Sequence, residues 1–188
     1  MLTHPFKTFA HDLPALLKGC NKLSTFCRRL EQQSILHPDR YDPDKYKGDG
    51  FELFTEALIK LSPVDNRIGI GEYQVVTEGD VGVDGFGIGA NGNPATVQVK
   101  YRGNNESLLT ANGDHLSNFL TASTFRYNVL MEDPKANRLI ITTAKGVHSF
   151  TDEQMLHNKV RYLGHEELRQ LVDNNQLFWD SFRGLALD

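Results

Sequence analysis

The chain has 188 residues, with 20 Lys+Arg against 24 Asp+Glu and a formal charge of −4. At 39% hydrophobic and 23% charged residues it has an ordinary folded composition, with a length that fits one domain of moderate size. No apolar run approaches the roughly 20 residues of a membrane-spanning helix, the N-terminal stretch MLTHPFKTFAHDLPALLKG lacks the apolar run of a signal peptide, and the mild acidity argues against a generic basic coat for nucleic acid. Cys20 and Cys27 match neither a redox pair nor a zinc knuckle, so the expectation is a reduced, intracellular, cytoplasmic protein.

Charge is unevenly spread: residues 1–48 carry +3 and residues 49–188 carry −7. The first element is a helix expected over 13–35, with Leu16, Leu17, Leu23, Phe26 and Leu30 as its apolar members. The stretch HPDRYDPDKYKGDG (37–50) reads as a connecting loop, which sets a boundary between a helical N-terminal extension, 1–47, and a main domain, 48–188. Asp49 and Glu52 form a capping-box pattern ahead of FELFTEALIKL, whose Phe51, Phe54, Leu58 and Leu61 fall at helical spacing. Pro63 marks the exit.

Three β-type segments follow, at 73–79, 81–89 and 95–102. Asn91-Gly92 is a tight-turn signal, so 81–102 reads as a hairpin. A helix is expected at about 114–126 with Asp114 as its N-cap, then a strand at 138–144 and a short helix at 151–158. A strand at 159–164 and a helix at 165–175 complete the series. Strand–helix–strand units in this order point to an α/β fold with a mixed sheet.

The segment ATVQVKYR holds the most chemistry. Gln98 and Lys100 are two apart and share one strand face, while Val97 and Val99 share the other. Asp84, flanked by glycines in VGVDGFG, lies on the partner strand of the hairpin. A carboxylate, a backbone carbonyl and a lysine in one cleft suit metal-assisted phosphodiester hydrolysis. Oxygen ligands hold Mg²⁺, and the lysine steadies charge on phosphate or on attacking water.

Phe51-Glu52, then Gly79 to Asp84, then Gln98-Val99-Lys100, then Thr142-Thr143 and finally GHEELRQLV together resemble the Mrr-like restriction endonucleases of the PD-(D/E)XK nuclease superfamily. The match covers about residues 48–175. The broader superfamily usually has an acid two residues before the lysine. Gln98 stands there instead, as in the Mrr-like branch, and this gives Glu52 more weight.

The resemblance implies a restriction-endonuclease-like three-layer sandwich, a central mixed sheet flanked by helices. It also implies a Mg²⁺-dependent DNA endonuclease, with Mn²⁺ as a substitute. Glu52 and Asp84 would be metal ligands, assisted by the Val99 carbonyl. Lys100 would orient or activate the attacking water, and Gln98 would hydrogen-bond water at the metal. Tyr101, Arg102 and Lys145 are candidate contacts to the DNA backbone. A helicase or translocase partner, a homodimer, and a preference for branched DNA are further implications. A non-cleaving DNA- or partner-binding module of the same fold is the rival.

Plainer readings exist for each residue. Glu52 completes a capping box, with Glu56 as the substitute ligand if the helix is rotated. Asp84 fits a turn, and Lys100 fits a solvated strand edge. Gly87–Gly92 matches G-x-G-x-x-G literally, but a strand follows it where a dinucleotide site needs a helix.

Overall fold

The computed structural model describes residues 1–62, 65–77, 82–148 and 159–188. The N-terminal third is helical: α1 Phe6–Phe9, α2 Leu13–Leu17, α3 Leu23–Ser34 and α4 Pro43–Leu61. Next come β1 Ile70–Val75, β2 Gly85–Gly89, β3 Pro94–Lys100, β4 Leu108–Leu109 and α5 Leu116–Tyr127. The chain ends with β5 Arg138–Thr142, β6 Gly146–Val147, β7 Arg161–Leu163, α6 His165–Val172 and α7 Gln176–Leu187. The helix expected at 151–158 lies outside the described residues, as do Gly79 and Asp80.

The main sheet runs β1-β2-β3-β5-β7. β1, β2 and β3 are antiparallel, and β3, β5 and β7 are parallel, so the sheet is mixed as expected. The β2–β3 hairpin forms where expected, closed by Gly89 and Asn93 around Asn91-Gly92. Alternation along each strand feeds two cores. Val97 and Val99 of β3, with Leu139 and Ile141 of β5, pack under α3, α4, α6 and α7. Ile140 faces the other way, into a smaller cluster with Leu116 and Phe119 of α5. The result is an α/β arrangement with helices on both faces of the sheet. Among the described residues no helix is long and apolar enough to cross a membrane.

Several boundaries differ from the sequence reading. The helix expected over 13–35 is two helices, α2 and α3, because Gly19 adopts a left-handed conformation with φ of +60°. The N-terminus of α3 is capped from afar: the Leu23 N–H donates to Asp173 Oδ1 at 2.8 Å. Helix α4 starts six residues before Asp49, at Pro43. Asp42 is its true N-cap, accepting the Lys45 N–H at 2.8 Å, and Pro43 takes the first position. Asp49 therefore lies inside the helix and does not cap it.

The loop expected at 37–50 was misread because of its glycines. A Cβ on Gly50 would collide with Leu30 and press on Phe6, so glycine there lets α1 and α3 approach α4 closely. The expected boundary at 47/48 consequently falls in the middle of α4. Leu2, Phe6, Leu16, Leu17, Phe26 and Leu30 join the same core as Phe51, Phe54 and Trp179. The N-terminal segment is an integral part of this core, not an appendage.

Asp114 is not the N-cap of α5. The helix begins after His115, which has a φ of 56°. The Asp114 carboxylate instead accepts the Thr110 N–H at 2.6 Å and the Arg102 guanidinium. Helix α7 was absent from the sequence reading. It is held by Asn175, which accepts the Phe178 N–H at 3.1 Å, and by the fully buried Trp179, whose indole N–H donates to the Val172 carbonyl at 2.7 Å.

Candidate active site

Helix α4 brings Glu52 to the mouth of a cavity of about 580 Å³ that Asp84 also lines. Asp84 sits at the residue preceding β2, where Gly85 pairs with Val97. Its backbone is fixed on both sides. The Val76 N–H donates to the Asp84 carbonyl, and the Asp84 N–H donates to the Val97 carbonyl, each at 2.9 Å. The Val99 N–H in turn donates to Asp84 Oδ2 at 2.6 Å. The Val99 amide thus holds the carboxylate.

Gln98 and Lys100 share the β3 face opposite Val97 and Val99, as the strand alternation requires. On that face Thr96 bonds to Ser123 of α5, Oγ1 to Oγ, at 2.7 Å. Gln98 is only 2% exposed, and its Oε1 has no hydrogen-bond partner among the described residues. A buried acceptor left without a donor is rare and costly, which points to a polar ligand or water at this position. Lys100 opens onto a second cavity of about 440 Å³, shared with Lys47, Val99 and Arg102. Glu52 and Asp84 are thus brought together, whereas Gln98 lines neither cavity and lies with Thr96 on the sheet face turned toward α5. Glu52 and Asp84 line one cavity and Lys100 its neighbour, with Val99 linked to both.

The residues expected to touch DNA have other partners. Arg102 is held by Asp114, and the Tyr101 hydroxyl donates to Glu31 Oε1 at 2.8 Å. Lys145 is exposed and forms a loose pair with Glu106 at 3.5 Å. Glu56, the substitute ligand in the sequence reading, is fully buried and structural. One of its oxygens accepts the Thr3 N–H and hydroxyl, both at 2.7 Å, and the Lys60 ammonium at 2.6 Å. The other accepts the His4 N–H at 2.9 Å. Burial alone would raise this carboxyl, but these hydrogen bonds outweigh it and hold it below the ordinary glutamate range.

The Glu56 latch explains a residue that no local sequence signal reveals. It fixes the Thr3–His4 backbone one helical turn away from Glu52, and the His4 ring reaches Glu52 Oε2 at 2.6 Å. The Phe6 N–H donates to His4 Nδ1 at 3.1 Å. That bond occupies the Nδ1 lone pair, so the ring hydrogen lies on Nε2 and His4 donates to Glu52. His4, Asp49 and Glu52 do place possible ligand atoms within 4.8 Å of one another. However, His4 Nε2 is a donor here, and Asp49 is engaged by the Tyr41 hydroxyl and the Lys45 ammonium. This group behaves as a hydrogen-bonded support for Glu52 rather than as a three-ligand metal centre.

The local potential is negative. The buried Tyr73 phenol is pushed far above its ordinary value by burial first, and then by the Asp84, Glu52 and Glu56 carboxylates around it. Such a concentration of carboxylates suits a hard cation.

No family model matches this chain, and no curated protein or solved structure matches it significantly.

Proposed function

We propose that the chain is a metal-dependent DNA endonuclease with a restriction-endonuclease-like, Mrr-like fold. The observation that carries this reading is the pairing of Glu52 and Asp84 on one cavity. The donor set fits a hard cation: two carboxylates and, from the resemblance, the Val99 carbonyl. Mg²⁺, or Mn²⁺ in its place, would supply Lewis-acid polarisation of a phosphodiester there.

The protein's own residues do the rest. His4 orients Glu52, and the Val99 N–H orients Asp84. Gln98 Oε1 accepts a hydrogen bond from a water and so fixes its direction. The Lys100 ammonium, which makes no side-chain hydrogen bond or ion pair among the described residues, steadies negative charge developing on the phosphate.

The test is cleavage of supercoiled, linear, single-stranded and branched DNA with Mg²⁺, with Mn²⁺ and with EDTA, by wild type and Asp84→Asn. The expected result is cleavage that needs the divalent ion and is abolished by Asp84→Asn. Equal products with EDTA, or no cleavage of any DNA form with either ion, would overturn the reading. A second reading, a DNA- or partner-binding module without cleavage, is favoured by one observation: Lys100 lines a different cavity from Glu52 and Asp84. Metal-independent DNA binding without products would support that rival.

A further inference from the structure

We propose that the cavity beside Glu52 and Asp84 is a subsite for an unpaired nucleotide of the DNA strand, built by the N-terminal segment. This rests on the nuclease reading and specifies its substrate class. The segment absent from the family resemblance supplies much of the cavity: Phe9 and, just before α4, Arg40 and Tyr41. At about 580 Å³, the cavity lies within the range of pockets that enclose single small molecules. A base stacked inside a duplex cannot enter such a recess. An unpaired or extruded one can.

The lining suits that ligand. Phe9, which lines the cavity, is 65% exposed, an aromatic ring presented to solvent. Tyr41 is held rigidly, with its hydroxyl on Asp49 and its ring edge-on to Phe6 and Tyr46. Aromatic faces of this kind stack nucleobases without regard to sequence, and a ring fixed in advance loses little entropy on binding. The exposed Arg40 guanidinium has no hydrogen-bond or ion-pair partner among the described residues and lies where a flanking phosphate would follow the base. The phosphate linked to that nucleotide would then lie toward Glu52 and Asp84.

The test uses the full chain with Ca²⁺ in place of Mg²⁺. Affinity is measured by fluorescence anisotropy for one sequence as blunt duplex, duplex with an internal bubble, flapped duplex and single strand. The expected result is at least about tenfold tighter binding of the unpaired forms, a preference that Phe9→Ala and Arg40→Ala each reduce by about tenfold. Phe125→Ala, at a more exposed aromatic on α5, keeps the preference. Thermal unfolding of each variant controls for folding. Stronger binding of the bubble than of a free single strand assigns the ligand to an extruded base, and the reverse assigns it to a strand end. Equal affinity for paired and unpaired forms, or an unchanged preference in Phe9→Ala, would overturn the proposal. The nuclease reading fails separately, through the absence of Mg²⁺-dependent products even where the binding preference is present.

Discussion

At the scale of single residues, two glutamates one helical turn apart have opposite fates. Glu56 is buried and bonded on both oxygens, and Glu52 reaches a cavity with one oxygen held by His4. Sequence spacing puts the two one turn apart on one helix. It could not show which would meet the N-terminal strap, because that depends on packing 50 residues away. Removing the His4 ring while keeping the fold should weaken the site. His4→Ala is expected to lower divalent-ion affinity about 10- to 100-fold, as loss of a supporting hydrogen bond to a ligand commonly does. His4→Gln, whose amide can donate to the same oxygen, should recover most of it. Calorimetric titration reads both, and equal loss in the two variants would show a purely structural role. Glu56→Gln should destabilise the fold by about 2 kcal/mol near neutral pH, because charge-assisted hydrogen bonds are lost from a buried group. The folded carboxyl is held below its ordinary value, so its contribution is complete above the unfolded glutamate range, about 4.3, and is lost as pH falls through the depressed folded value. Denaturant unfolding of both proteins from pH 7 downward should show their difference shrinking below about pH 4.

At the scale of elements, the β2–β3 hairpin was legible because turn chemistry and strand alternation are local. The start of α4 was not, because Gly48 and Gly50 carry loop character in composition, while Gly50 has a packing role in space. Asp42-Pro43 held the correct signal, an N-cap followed by proline at the first helical position. Asp42→Ala is expected to cost about 1 kcal/mol in unfolding free energy. Gly85 is under tighter constraint, since a Cβ there would overlap the ring of Tyr73. Gly85→Ala should destabilise by about 1–3 kcal/mol and displace Asp84, its neighbour, so that thermal stability and metal affinity fall together. The distant cap on α3 from Asp173 and the long α7 escaped the sequence for one reason: both are defined by what packs against the helical layer.

At the scale of the whole molecule, the mixed sheet followed from the order of hydrophobic periods, but the boundary expected at 47/48 falls inside α4. Residues 1–42 fill the core over α4 and supply His4, Phe9 and Tyr41 to the cavity. A chain starting at residue 43 should therefore lack a single cooperative unfolding transition. A stable, cooperative 43–188 fragment would restore the picture of an appended arm. The candidate catalytic set was legible as residue types at set spacings, and Glu52 and Asp84 do line one cavity. What spacing could not convey is that Lys100 looks onto a neighbouring cavity, joined to the first through Val99. The most direct measurement is the rate of nicking of supercoiled DNA by wild type and Lys100→Ala at saturating Mg²⁺. The account predicts a loss on the order of 10²–10³-fold for a group that steadies transition-state charge. Cleavage by Lys100→Ala at the wild-type rate would contradict it.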